Sequence, residues 1–162
     1  MPARSVVVPF ALALPKESNV ARGQVLSKSY QVRGVARLEG DRLTLEWSGS
    51  IEITEVSGAS VRTLRESVPA QRLVLPMARI ASIELRGRWW RPFIELRATG
   101  VRPLDLVPSA VAGRVVLRLA RRDRQAAAEL VSQVQLAMAD LALREAESQS
   151  RSQQPRETRA DH

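Results

Sequence analysis

The residues best equipped for chemistry sit together in Arg86-Gly87-Arg88-Trp89-Trp90-Arg91-Pro92-Phe93. Guanidinium groups beside indoles can stack on nucleobases, settle at a membrane interface or anchor a protein partner. The indole face attracts cations and offers a large, rigid contact area. Arg86, Arg88, Trp89, Trp90, Arg91 and Phe93 are therefore the candidate interaction surface. Successive residues of a strand face opposite sides, so one tryptophan is expected to pack on the body while the other stays exposed.

Other groupings offer less. Glu46, Glu52, Glu84 and Glu95 fall at outward strand positions. Acid–base work needs a pocket that raises one carboxyl pKa, and outward glutamates beside many arginines are expected to form cross-strand ion pairs instead. Arg121-Arg122-Asp123-Arg124 precedes a helical segment, where arginines oppose the helix dipole and gain nothing locally. No Gly-x-Gly-x-x-Gly or P-loop spacing occurs. The chain has no cysteine, which excludes disulfides and thiolate chemistry. Its one histidine, His162, is the last residue of the sequence. The expectation is no catalytic set, no cofactor site, no metal site and no small-molecule substrate.

Composition sets the frame for that surface. The 162 residues suit one domain with tails, and a 44% hydrophobic share is enough for a core. A net charge of +8 and a pI near 11.3 invite acidic partners. However, Lys16 and Lys28 are the only lysines among 25 basic residues, and the arginines are scattered. That is what a GC-rich bacterial genome encodes, and most are read as solvated strand faces. No run approaches the roughly 20 apolar residues of a membrane span. Arg4 alone precedes the apolar stretch at residues 5–15, and Pro9 and Pro15 interrupt it, so it does not read as a signal peptide. A cytoplasmic protein is expected.

The elements that must position the surface are mostly strands. Tyr30, Val32, Ala36 and Leu38 alternate with polar residues, Glu39-Gly40-Asp41 turns, and Leu43, Leu45 and Trp47 answer on the return strand. Such alternation marks an antiparallel sheet with one dry face. Val6, Val8, Phe10, Leu12 and Leu14 share the face of an earlier strand, which Pro9 would put at a sheet edge. Residues 15–24 read as a connector and Ser48-Gly49-Ser50 as a turn. Strands are expected at Ile51–Val56, Val61–Val68, Leu73–Leu75, Ile80–Arg86 (with Ala81, Ile83 and Leu85 on one face), Phe93–Arg97 and Arg114–Leu119. Residues 99–113 form an irregular loop with Leu104, Leu106 and Val107 tucked in.

From Asp123, the expected N-cap, the period changes: Ala127, Leu130, Val131, Val134, Met138 and Leu141 make one stripe of a helix expected to end near Glu147. Glu129, Leu136 and Leu143 form a sparser second line, expected to stay exposed. The polar stretch 148–162 is expected to be disordered. The division is thus 1–23, an N-terminal strand-like segment and connector; 24–147, the domain; and 148–162, a tail. About seven short strands and a terminal helix imply a mainly β fold, a small, partly open antiparallel barrel whose open end the helix plugs.

This order resembles the pleckstrin-homology-like superfold, and more closely the small bacterial proteins that carry it. The resemblance rests on Gly34–Trp47, Leu75–Leu85, the Trp89-Trp90 hairpin and the junction Leu117–Leu130, and covers about Gln24 to Arg144. It implies a docking scaffold. The phosphoinositide site of related eukaryotic domains is not carried over, because Glu39 and Asp41 in the first hairpin loop would repel a phosphorylated head group. The expected function is a non-enzymatic interaction module that docks a protein partner or itself. The alternative is a basic module that binds nucleic acid or an anionic membrane surface through distributed arginines and the Arg86–Phe93 tip.

Overall fold

A computed structural model describes residues 6–153. Eight strands precede one long helix: β1 (Val7–Leu12), β2 (Glu17–Ala21), β3 (Gln24–Glu39), β4 (Arg42–Ser57), β5 (Ser60–Pro76), β6 (Ile80–Arg88), β7 (Arg91–Ala98), β8 (Arg114–Arg118) and α1 (Arg124–Gln153). They form one antiparallel sheet in the order β5-β4-β3-β1-β8-β7-β6, with β2 paired to β3. The sheet does not close on itself, since β5 and β6 are its two ends. The mainly β fold with a C-terminal helix expected from alternation and period change is what the chain adopts.

The dry face is where the pattern put it. Val8, Phe10 and Leu12 of β1 line up with Val32 and Ala36 of β3 and with Leu43, Leu45 and Trp47 of β4, all 5% exposed or less. Ile94, Leu96, Val115 and Leu117 complete the face from the second meander. Over it lies α1, which presents Ala127, Leu130, Val131 and Val134 as buried residues, with Met138 and Leu141 partly buried. The helix packs on β6, β1, β3 and β7, and its Gln135 amide donates to the Ile83 carbonyl of β6 at 2.9 Å. Glu129, Leu136 and Leu143 are exposed, as the second line required.

Several elements differ from the expectation. Pro9 does not place β1 at an edge: β1 is interior, paired to β3 along its length. Its pairing to β8 is confined to Ala11↔Arg118 and Leu12↔Leu117, so on that side proline lies where the neighbour does not reach. Glu17–Ala21, read as connector, is β2. Ser48-Gly49-Ser50 is no turn but the middle of β4, beside a register shift between Trp47 and Gly49. Val61–Val68 and Leu73–Leu75 are one strand, β5, that passes through Pro69. A second register shift, between Ile80 and Ser82, turns Ile80 inward and leaves Ala81 exposed. Leu104 and Val107 are buried, but Leu106 is 61% exposed. Asp123 lies inside a 3-10 turn (Arg121–Asp123), where its carboxylate is 4.0 Å from Arg122. The helix runs past Glu147 to Gln153, with Ser148, Ser150 and Ser152 each donating a hydroxyl to the carbonyl four residues back. Those residues belong to the helix rather than to the tail; 154–162 lie outside the described residues.

Because β3, β4 and β5 are each 16 or 17 residues long, the sheet overruns its core. β2, the first half of β3, the second half of β4 and the first half of β5 form a four-stranded wing. None of residues 17–31 or 48–68 is buried.

Candidate functional site

The β6–β7 hairpin closes with Arg88 paired to Arg91, which leaves Trp89 and Trp90 as its two-residue turn. Gly87 adopts φ +89°, and a Cβ there would collide with the Arg91 carbonyl and sit 2.9 Å from the Phe93 ring. Glycine is required because the chain must be left-handed at the point where another strand's backbone comes close. Phe93, half-buried, covers that glycine and stands opposite Arg86 on β6 and Arg118 on β8.

At the tip the two indoles meet edge to face, with centroids 5.5 Å apart and planes at 89°. Neither packs into the body: Trp89 is 52% exposed and Trp90 46%. The expectation that one would be buried fails because the turn lifts both beyond the last strand pair. Each indole carries a guanidinium. Arg88 lies 5.2 Å from the Trp90 centroid, and Arg121 lies 3.8 Å from that of Trp89. Arg121 reaches the tip because the segment after β8 runs alongside it, with the Leu119 amide donating to the Pro92 carbonyl at 3.1 Å. Reading the sequence grouped Arg121 with the helix start; no local signal could have moved it to the hairpin.

The six expected residues divide in two. Arg88, Trp89, Trp90 and Arg91 form the tip, joined by Arg121. Arg86 and Phe93 stand one step back as its support. Arg86 is committed to Glu84 at 2.6 Å, whose hydrogen bond and charge raise the guanidinium's pKa further. By contrast, Arg88, Arg91 and Arg121 make no salt bridge among the described residues.

Glu46 is the cross-strand partner expected, whereas Glu84 pairs with Arg86 of its own strand and Glu52 makes no salt bridge among the described residues. On the outer face of β3, β4 and β5, Arg37 bridges Glu39 and Glu46 at 2.8 and 3.0 Å, and Arg72 bridges the same two at 3.3 Å each. Arg37 beside the Gly40-Asp41 turn is thereby neutralised. Glu52 stands opposite Arg65 in register.

Glu95 departs from the pattern: it is 3% exposed, held by Arg114 and Arg97. The Arg114 hydrogen bond, supported by Arg97, pulls its pKa below the ordinary 4.5 against the opposing push of burial. A general acid needs the opposite shift. The consequence is a pH dependence. With a depressed folded-state pKa, the unfolded chain binds more protons in the acid window. Glu95's contribution is then complete above about pH 4.5 and disappears as pH falls through the lower folded value. Glu95→Gln is expected to lower the melting temperature at neutral pH, and the gap to wild type should narrow toward pH 3. Melting curves across pH check this; a constant gap would contradict it.

Comparison with protein-family models, with curated proteins and with solved structures finds no match.

Proposed function

We propose that this chain is a non-enzymatic, cytoplasmic interaction module of the pleckstrin-homology-like type, which docks a protein partner through the β6–β7 tip. The reading is carried by one observation: two tryptophans held half-exposed, locked edge to face, each stacked by an arginine. Burying such rigid aromatic area costs little side-chain entropy, and Trp and Arg dominate interface hot spots. Two antiparallel meanders joined through an N-terminal strand, with a C-terminal helix over the dry face, support the superfold part of the reading. The helices of the described residues include none long and apolar enough to cross a membrane. The paired arginines beside the first hairpin turn argue against a phosphoinositide site there.

The test is affinity capture from the native cell with wild type, Trp89→Ala and Trp90→Ala. Each substitution is expected to reduce recovery of a specific partner by about thirtyfold or more, the scale of a 2 kcal/mol hot spot, with unchanged melting temperature. Equal recovery by all three would make the tip purely structural.

A second reading has its own support in the unbridged Arg88, Arg91 and Arg121: contact with nucleic acid or an anionic membrane surface. It requires retention on DNA or anionic vesicles that falls steeply with salt, because each neutralised phosphate releases counterions. No retention at low ionic strength removes it.

A further inference from the structure

The sheet has two ends, and they are treated differently. The β6 edge is short and guarded: α1 packs on it, and Gln135 occupies the Ile83 carbonyl. On β5, Pro69 and the nearby register shift interrupt pairing only at the base of the wing. From Ser60 to Ser67 every residue is exposed, β4 takes one side, and the other side is the end of the sheet. An edge of this length without proline presents a row of unpaired amides and carbonyls, a template for another strand.

The sequence of this edge is self-complementary. In a two-fold antiparallel pairing of identical strands, residue positions opposite each other have a constant sum, and the pair at the axis is a residue against itself. Centring on Arg62, Arg65 or Glu66 sets like charges against each other. Centring on Thr63 sets Arg62 against Leu64 and leaves Arg65 against Val61. Centring on Leu64 opposes Arg62 to Glu66 twice, once on each side of the axis, with no like-charged pair. In the same register Leu64 meets Leu64 of the second copy. Ile53 stands opposite Leu64 within each chain, so a row of four aliphatic side chains crosses the junction on the face that bears both ion pairs.

We infer that the wing is a self-association surface: β5 pairs antiparallel with β5 of a second copy about Leu64, joining two four-stranded wings into one continuous sheet. The pairing uses neither Trp89 nor Trp90 and stands apart from the docking role of the tip. Opposite charges across a strand pair stabilise and like charges destabilise.

Sedimentation velocity of the full chain across concentration tests it. Wild type is expected to populate a dimer. Arg62→Glu alone and Glu66→Arg alone each set like charges at both symmetric positions and should weaken self-association by about tenfold or more. An equimolar mixture of these two variants regains opposite charges at both positions and should associate, as should the double variant. Trp89→Ala should dimerise like wild type. A wild type that stays monomeric to about millimolar concentration overturns the inference, as do single variants that dimerise normally or a mixture that fails to recover.

Discussion

Trp47→Ala is expected to cost about 3–5 kcal/mol of folding free energy. Trp47 is 3% exposed on β4, and its neighbour across β3 is Gly34, with Phe10 of β1 on the far side of that glycine. A Cβ at position 34 would lie 2.6 Å from the Phe10 ring and 2.9 Å from Trp47 Cβ. The two aromatics thus fill the space the glycine leaves. Truncating one of them opens a cavity between three strands that backbone pairing prevents from collapsing. Urea titration followed by circular dichroism measures the loss; a change under about 1 kcal/mol would mean that the site relaxes freely.

Leu130→Ala is expected to cost about 2–5 kcal/mol. Leu130 is fully buried in α1, between Ala127 and Val134 on the stripe that faces the sheet. Alanine is the better helix former, so propensity moves the other way and any loss measures packing alone. The measurement therefore asks whether the helix belongs to the cooperative unit. Unfolding that stays single and shifts to lower denaturant is the expected result. A helix signal that melts separately, with the sheet unaffected, would contradict it.

How much of this was legible in the sequence depended on the presence of a dry face. Where one face is buried, as at Val32, Ala36, Leu43, Leu45 and Trp47, alternation has a physical cause and the reading succeeds. The stripe from Ala127 to Leu141 was legible for the same reason. In the wing that cause is missing, and although Ile51–Val56 and Val61–Val68 were still read as strands, other pieces of it were not. Ser48-Gly49-Ser50 has the composition of a turn, and only pairing to both neighbours makes it strand. Glu17–Ala21 is strand because β3 lies beside it, not because of its own side chains. The candidate site was half legible. The local cluster from Arg88 to Arg91 was visible in the sequence. Arg121, which arrives through the path of the chain after β8, was not. Glu95 had the correct face but not its burial, because Arg114 of β8, which its own segment does not contain, closes over it together with Arg97 of the same strand.

The interior position of β1 has a consequence for how the molecule assembles. Hairpins such as β3–β4 and β6–β7 join residues close in sequence and can form early. Within the sheet the two halves pair only where Ala11 and Leu12 find Arg118 and Leu117, more than a hundred positions away. Closing so wide a loop for so small a seam is slow and entropically costly. The first strand made must wait for nearly the last, and until they meet the two half-sheets are separate pieces with their oily sides uncovered.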